Sequence, residues 1–246
     1  MAAGAFDALA LRYDELWTHS TIGRLQRQAV WRYLGALFRP GDTLLDLGCG
    51  TGEDALHFMN SGMRVSAIDA SPAMVRIACS RGVDATRLPI EELGQLRGSF
   101  DGVISDFGAL NCLPRLDVIR APLARLVRSG GYLAICTMGR FCLWETVWYL
   151  LRARSRKAFR RWGRGGANSS LGVRVYYPSI RQLKQAFLPD FSLVHWCGVG
   201  ISIPPSYVTG LSDRVLTRLA SFESLTAHRP PWRALADHRL PIFTRN

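Results

Sequence analysis

Two spacings of apolar residues alternate along the chain. Between residues 5 and 38, Leu9, Leu16, Leu25, Val30, Leu34 and Leu37 recur among polar neighbours at helical spacing, with a break expected near Gly23. Pro40-Gly41-Asp42 has turn chemistry. Short apolar runs follow, each closed by glycine, acid or proline: TLLDLG (43–48), RVSAID (64–69), FDGVISDF (100–107) and YLAICTM (132–138). These read as buried strands. Residues 53–60, a segment opened by Ser71-Pro72, and residues 114–127 read as the helices between them. Strands that alternate with helices at this spacing form a parallel, doubly wound sheet. Beyond residue 140 the pattern predicts a helix at 179–187, a strand at 191–203 and a last strand, LPIFTR, at 240–245. No Pro/Gly/Ser-rich linker interrupts the chain, so one domain is expected.

Composition adds limits. The chain has 246 residues, enough for a sizeable core, and its 48% hydrophobic content excludes disorder. No apolar run reaches the ~18 residues of a membrane span. The start of the chain lacks a basic region ahead of an apolar one and so does not read as a signal peptide. The six cysteines form no CxxC pair, which fits reduced thiols in a cytoplasm, and no spacing suggests a metal site. Charge is uneven. Residues 1–140 carry 15 Arg against 14 acids, whereas residues 141–246 carry 14 Arg and 2 Lys against 5 acids. The second part is expected to face anions of some kind.

The most specific stretch is LLDLGCGTGED (44–54), a strand, then glycines, then a helix. Such a loop brings backbone close to a ligand at a helix N-terminus. Its glycines are spaced GxGxG, not the GxGxxG of dinucleotide sites. Asp69, at the end of the next strand, lies 21 residues after Gly48 and suits a ribose diol. Asp46, Glu53 and Asp54 flank the loop. A pyrophosphate would meet carboxylates there, at a cost on the order of several kcal/mol, whereas a cationic ligand is favoured.

On these residues, together with AIDAS (67–71), DATRLP (84–89), FDGVISDFGALN (100–111) and LVRSGGYLAI (126–135), the chain resembles the class I S-adenosylmethionine-dependent methyltransferases, in particular small-molecule, type 11/25-like members. The resemblance implies an α/β, Rossmann-like doubly wound sheet of seven strands with the last antiparallel. It also implies a helical lid (1–40), a cofactor-binding core (41–140), a substrate cap inserted after strand 5 (141–190) and C-terminal strands and helices (191–246). S-adenosylmethionine is the implied cofactor. Gly48, Gly50 and Gly52 would bound its methionine moiety, and Asp46 would help hold the ammonium. Asp69 would bind the ribose, with Ala70 beside the adenine and Asp84 and Ala85 beside its amino group. Tyr13 would lie over the cofactor, and Asp106 and Phe107 would stand where the methyl group points.

Methyl transfer needs mainly proximity and orientation, and a base only where the nucleophile must lose a proton. Asp106 and Asn111 are the leading catalytic candidates, although Asn111 can instead close an Asx-turn. His19, Glu145, Tyr177 and Tyr207 are further candidates, while His195 reads as structural and His238 shows no partner. Phe141, Trp144, Trp148 and Tyr207, with Asn111, are expected to meet a hydrophobic acceptor. IPPSY (203–207) resembles the NPPY box of base-amine methyltransferases, but it lies far past strand 4, so its prolines are expected to shape a loop. The stretch 152–164 carries seven basic residues and no acid, so its cations are expected to be hydrated or to face an external anion. Three readings of it stay open: a cap with solvated arginines, an anchor on an anionic membrane, and an RNA arm. The cap is preferred, with peripheral contact at the inner membrane face compatible with it and nucleic acid disfavoured. The expected function is methylation of a small hydrophobic or lipid-like acceptor. RNA methylation and a non-catalytic, cofactor-binding or membrane-associated accessory role are the alternatives.

Overall fold

The computed structural model describes residues 2–163, 165–208 and 210–246. Its centre is one mixed sheet in which β1 (Thr43–Leu47), β2 (Arg64–Asp69), β3 (Asp84–Arg87), β4 (Phe100–Ser105) and β5 (Val127–Ile135) run parallel in the order 3-2-1-4-5. A short β6 (Thr137–Met138) continues β5 after Cys136 in the same register against β10 (His238–Arg245), which pairs antiparallel with both. β9 (Phe191–Val199) closes the far edge, antiparallel to β10. A separate hairpin pairs β7 (Ala167–Asn168) with β8 (Arg174–Val175). The sheet is thus the expected doubly wound one, with its last strand reversed. Because β10 is reversed, its first residue, His238, lies level with the carboxyl ends of the parallel strands.

Helices cover both faces. α2 (Thr21–Leu34) and α3 (Glu53–Asn60) lie on one side, where Val30, Leu34, Leu44 and Phe58 share a core. α5 (Arg120–Leu126) and α8 (Ile180–Phe187) lie on the other, with Leu123, Leu126, Leu183 and Phe187 fully buried. α4 (Pro72–Ser80) starts on a Ser71 side-chain cap with proline at its first turn. α8 starts on a Ser179–Gln182 capping box. The lid helix α1 (Ala2–Tyr13) runs into a π-helical turn, Asp14–Thr18. The break in the N-terminal segment falls at Ser20 rather than Gly23. The Ser20 hydroxyl accepts the Gly23 N–H at 3.0 Å and starts a new helix. The segment 114–127 is less helical than expected: a 3₁₀ turn at Asp117–Ile119 precedes α5, and the chain is already in β5 at Val127. Gly200, in the left-handed conformation, ends β9 before the expected residue 203.

The cap begins with α6 (Leu143–Leu150) and α7 (Ser155–Ala158), while α9 (Asp213–Thr226) supports the loop after β9. Phe187 is fully buried against Phe191 and Phe243, at ring separations of 6.2 and 5.3 Å, and joins α8 to the reversed edge of the sheet. Phe187→Ala is expected to lower stability by about 3–5 kcal/mol through lost burial and a cavity. Urea unfolding checks this; an unchanged midpoint would mean that α8 does not hold this edge.

Candidate active site

The glycine loop turns between β1 and α3 at the carboxyl edge of the sheet. The Gly48 and Cys49 N–H groups both donate to the Ile68 carbonyl, at 2.8 and 3.0 Å, which pins the loop to β2. Gly48 has φ +75°, and a Cβ there would stand 2.3 Å from that of Ala109, so only glycine fits. Gly50 and Gly52 lie in the same turn, also at positive φ. The Gly50 N–H donates to one Asp69 oxygen at 2.9 Å and the Ser71 N–H to the other at 2.8 Å. Asp69 is therefore fixed at the end of β2 with Ala70 beside it. Burial nevertheless raises its pKa, against these two bonds.

Three further carboxylates converge next to the loop. Asp46 is the last residue but one of β1, Asp106 follows β4 and Asp54 lies in the first turn of α3, and all three are buried. One cation answers them. The Arg27 guanidinium pairs with Asp54, whose other oxygen accepts the Trp31 indole N–H at 2.7 Å. The same guanidinium lies 4.5 Å from the Trp17 ring centre and 5.3 Å from that of Phe107. Both Asp106 oxygens and one Asp46 oxygen have no hydrogen-bond partner. Burial, then the neighbouring carboxylates, push the pKa values of Asp46 and Asp106 well above the ordinary range, with Arg27 opposing.

The lid is latched over this group. Asp14 accepts from the Thr51 hydroxyl at 2.7 Å and pairs with Arg81, and Asp7 accepts from the Ser71 hydroxyl at 2.6 Å and the Ala73 N–H at 3.0 Å. Trp17 meets Phe107 edge-on at 4.7 Å, with Tyr13 6.0 Å behind Trp17. His238 also meets the Phe107 ring edge-on, at 5.4 Å. Its Nδ1 is 3.5 Å from Asp237, and burial lowers its pKa, so the imidazole is neutral at pH 7.

The donor set fits S-adenosylmethionine. Unpartnered buried carboxylate oxygens suit an ammonium and a sulfonium, Arg27 suits a carboxylate, and Asp69 suits a diol. A family model described as "Methyltransferase domain" matches residues 45–135. The demethylmenaquinone methyltransferase of Mycolicibacterium paratuberculosis is 35% identical over 167 residues, covering 63% of this chain and 69% of that protein. The enzyme of the same name from Beutenbergia cavernae is 37% identical over 142 residues, where the match spans 54% of this chain and just 56% of the relative. The chain is a class I S-adenosylmethionine-dependent methyltransferase. The fold agrees. The geranyl diphosphate C-methyltransferase of Streptomyces coelicolor superposes with a TM-score of 0.60 at 14% identity, over 89% of this chain and 81% of that one. A Mesorhizobium loti S-adenosylmethionine-dependent methyltransferase gives 0.59 at 18%, over 87% and 97%.

Several sequence-based expectations for this methyltransferase need correction. Asp84 and Ala85 are not at the cofactor edge. In the parallel register Asp84 faces Ser66, whose hydroxyl it accepts at 3.0 Å, and it is Arg87 that lies level with Asp69. Three residues of strand put Asp84 about 10 Å below the carboxyl ends of the strands. The residues at that edge are Leu88, Pro89 and Ile90, whose segment is tied to β2 by the Leu88 N–H on the Asp69 carbonyl at 3.0 Å. Asn111 does not offer the free polar group expected of a residue aimed at substrate. It is fully buried, its amide donates to the Met138 and Tyr176 carbonyls at 3.1 and 2.6 Å, and its carbonyl oxygen accepts the Met138 N–H at 2.9 Å. That is a strut between the loop after β4, β6 and the cap.

The basic stretch is not uniformly free. Glu145, 1% exposed, accepts from Arg160 at 2.8 and 2.9 Å, from Arg161 at 2.7 Å and from the Tyr207 hydroxyl at 2.6 Å. Arg161 also pairs with Asp237 at 2.8 Å. Two of the cations are thus neutralised by acids distant in sequence, and Arg164 lies outside the described residues. Tyr207 is held in this network and stacks on Tyr149, while the Trp144 indole donates to the Ser202 carbonyl at 3.0 Å. Phe141 packs on Trp162, and Trp148 lies under Arg152. IPPSY is a loop, held by the Glu223 carboxylate on the Gly200, Ser202 and Ile203 N–H groups. A separate cleft of about 140 Å³, lined by Leu113, Arg140, Tyr176 and Tyr177 among others, holds none of the site carboxylates.

Arg27, Trp17 and His238 are the site residues that the sequence reading did not assign. Arg27 had a signal: it falls on the buried stripe of α2 with Gly23, Val30 and Leu34, where an arginine needs a partner.

Two outcomes follow. Asp69→Ala removes the acceptor of the Gly50 and Ser71 N–H groups and the diol partner. It is expected to weaken S-adenosylmethionine binding at least about tenfold by titration calorimetry, the scale of a charge-assisted bond; unchanged affinity would remove Asp69 from the site. For Glu145, burial alone would raise the pKa, but Arg160 and Arg161 outweigh it and hold the carboxyl at about 2. Its stabilisation is complete above the unfolded value of 4.5 and is lost as pH falls towards 2. Glu145→Gln should cost about 3 kcal/mol at pH 7 and flatten the stability profile between those limits, read by urea unfolding at each pH. An unchanged profile would show that the cap does not depend on this pair.

Proposed function

We propose that this methyltransferase acts on a small, hydrophobic, lipid-like acceptor of the quinol or isoprenoid class. One observation carries the reading: relatives named demethylmenaquinone methyltransferases match more than half of the chain at about a third identity. More than a third of this chain lies outside those matches, so the class of acceptor is inferred and not one compound. The aromatic and apolar character of the cap agrees with such an acceptor.

When bound, S-adenosylmethionine supplies a methyl group already activated by its sulfonium. The chain does the rest. Asp46 and Asp106 would hold the cationic end, Arg27 the carboxylate and Asp69 the ribose. Trp17 and Phe107 exclude water and give the acceptor ring an apolar wall. An acceptor hydroxyl or enol would have to lose its proton as it takes the methyl group, the methyl–sulfur bond breaking to leave a neutral thioether. The neutral His238 imidazole would take that proton, and Asp237, 3.5 Å from its Nδ1, would steady the imidazolium that forms.

The test is transfer of radiolabelled methyl groups to a panel of reduced demethylated quinones, isoprenoid phenols and unmodified RNA. Transfer to a lipid-soluble quinol or phenol is expected. His238→Gln should lower kcat by about 10²-fold or more with cofactor affinity unchanged. Methylation of RNA alone, or cofactor binding with no transfer to any acceptor, would replace this reading by an RNA enzyme or an accessory protein.

A further inference from the structure

The outer surface of the cap does not look like a water-facing surface. α6 turns its polar group, Glu145, inward, where that residue is almost completely buried. Its outward stripe is aliphatic: Leu143, Val147, Leu150 and Leu151 are 36, 44, 46 and 80% exposed. The spacing i, i+4, i+7, i+8 places them on one face. A solvated helix has the opposite arrangement. The chain then passes through Arg152, Arg154, Arg156 and Lys157, all exposed, and none of them is ion-paired with an acid among the described residues. Phe159 and Trp162 follow, 40 and 55% exposed, with ring centres 5.1 Å apart.

We propose that this face, the outer stripe of α6 with the four free cations after it, is a docking surface for an anionic lipid bilayer. The aliphatic stripe enters the headgroup–acyl boundary, the cations meet lipid phosphates, and the aromatic pair sits at headgroup level. The docking is interfacial. α6 has eight residues, far short of the ~20 that span a bilayer, and no helix among the described residues is long and apolar enough to cross. Charge complementarity selects the partner. A second copy of the chain would bring four unpaired cations against four more. RNA would use the cations but leave the aliphatic stripe in water. An anionic bilayer satisfies both at once. Arg160 and Arg161 take no part, because Glu145 and Asp237 hold them. The inference stands apart from the acceptor reading, since it rests on surface residues alone.

The test is co-sedimentation of the whole protein with vesicles of phosphatidylcholine alone and of phosphatidylcholine mixed with phosphatidylglycerol, at low and high salt. Binding to the anionic vesicles that weakens with salt is expected. Replacing Arg152, Arg154, Arg156 and Lys157 by Gln should reduce partitioning about fivefold per cation removed. Leu150→Asn with Leu151→Asn should reduce it by about tenfold or more at unchanged cofactor affinity and thermal midpoint, which shows the variant is folded. Absence of binding at low salt would overturn the proposal. So would binding that the two Asn substitutions leave intact, since that is simple charge adsorption. Self-association or RNA binding abolished by the same Leu and Arg changes, without vesicle binding, would also overturn it.

Discussion

Everything at the active edge of this methyltransferase follows from burying several carboxylates beside one another with a single arginine among them. Asp46, Asp54 and Asp106 converge where β1 and β4 end and α3 begins, and water is largely excluded. Charges there cost several kcal/mol each unless they are paired. Arg27 answers one acid, Asp54, through one nitrogen while its Nε is left without a partner, and the surrounding parts serve that pairing. α2 carries an arginine on its buried stripe, Trp31 satisfies the second oxygen of Asp54, and Trp17 and Phe107 offer ring faces to the guanidinium. The remaining oxygens on Asp46 and Asp106 are left without partners. A cofactor that brings a sulfonium and an ammonium relieves that deficit, so the site is built to be completed by a cationic ligand. The same deficit explains why no phosphate-bearing cofactor suits a loop that otherwise has the geometry to hold one.

The cap solves a similar problem in the opposite sense. Its charge excess is positive, and one buried acid, Glu145, gathers Arg160, Arg161 and Tyr207, while Asp237 takes the far side of Arg161. Asp237 adjoins His238, and His238 packs on Phe107. A continuous set of contacts thus runs from the folded base of the cap to the wall of the site. A disturbance of Glu145 is therefore expected to be felt at His238 through Asp237 and Arg161, although the groups come from three separate stretches of chain.

Periodicity and turn chemistry made the sheet and the cofactor loop legible in the sequence. Strand–glycine–helix spacing places the loop, and an acid at the end of the next strand places Asp69, because both depend on local chain geometry. What was not legible depends on register and on distant partners. Asp84 looks well placed in a linear motif, yet a parallel register that sets it opposite Ser66 moves it off the cofactor edge. Asn111 looks like a polar group offered to substrate. It is consumed by backbone groups of Met138 and Tyr176 that lie 27 and 65 residues away. The basic run showed no acid nearby, and the inference that all its cations are free fails because charge pairing is spatial. Glu145 and Asp237 lie 15 and 76 residues from their arginines.

That spatial pairing also sharpens the meaning of the charge asymmetry. Once Arg160 and Arg161 are assigned to the interior, the cations left between α6 and Phe159 are exposed ones that directly follow an exposed aliphatic stripe in the chain. An apolar stripe in water is a cost of about 25 cal/mol for each Å² exposed, with nothing in the fold to offset it. Turning Glu145 inward gives the cap its anchor, but it also removes from α6 the one acid that could have made its outer face polar or balanced the neighbouring arginines. The interior pairing and the unusual exterior are therefore two consequences of one placement. A cap that had only to cover a cofactor could have carried its acid outside and leucines within. This one has the reverse order, and the reversal is what an apolar, anionic surface would select.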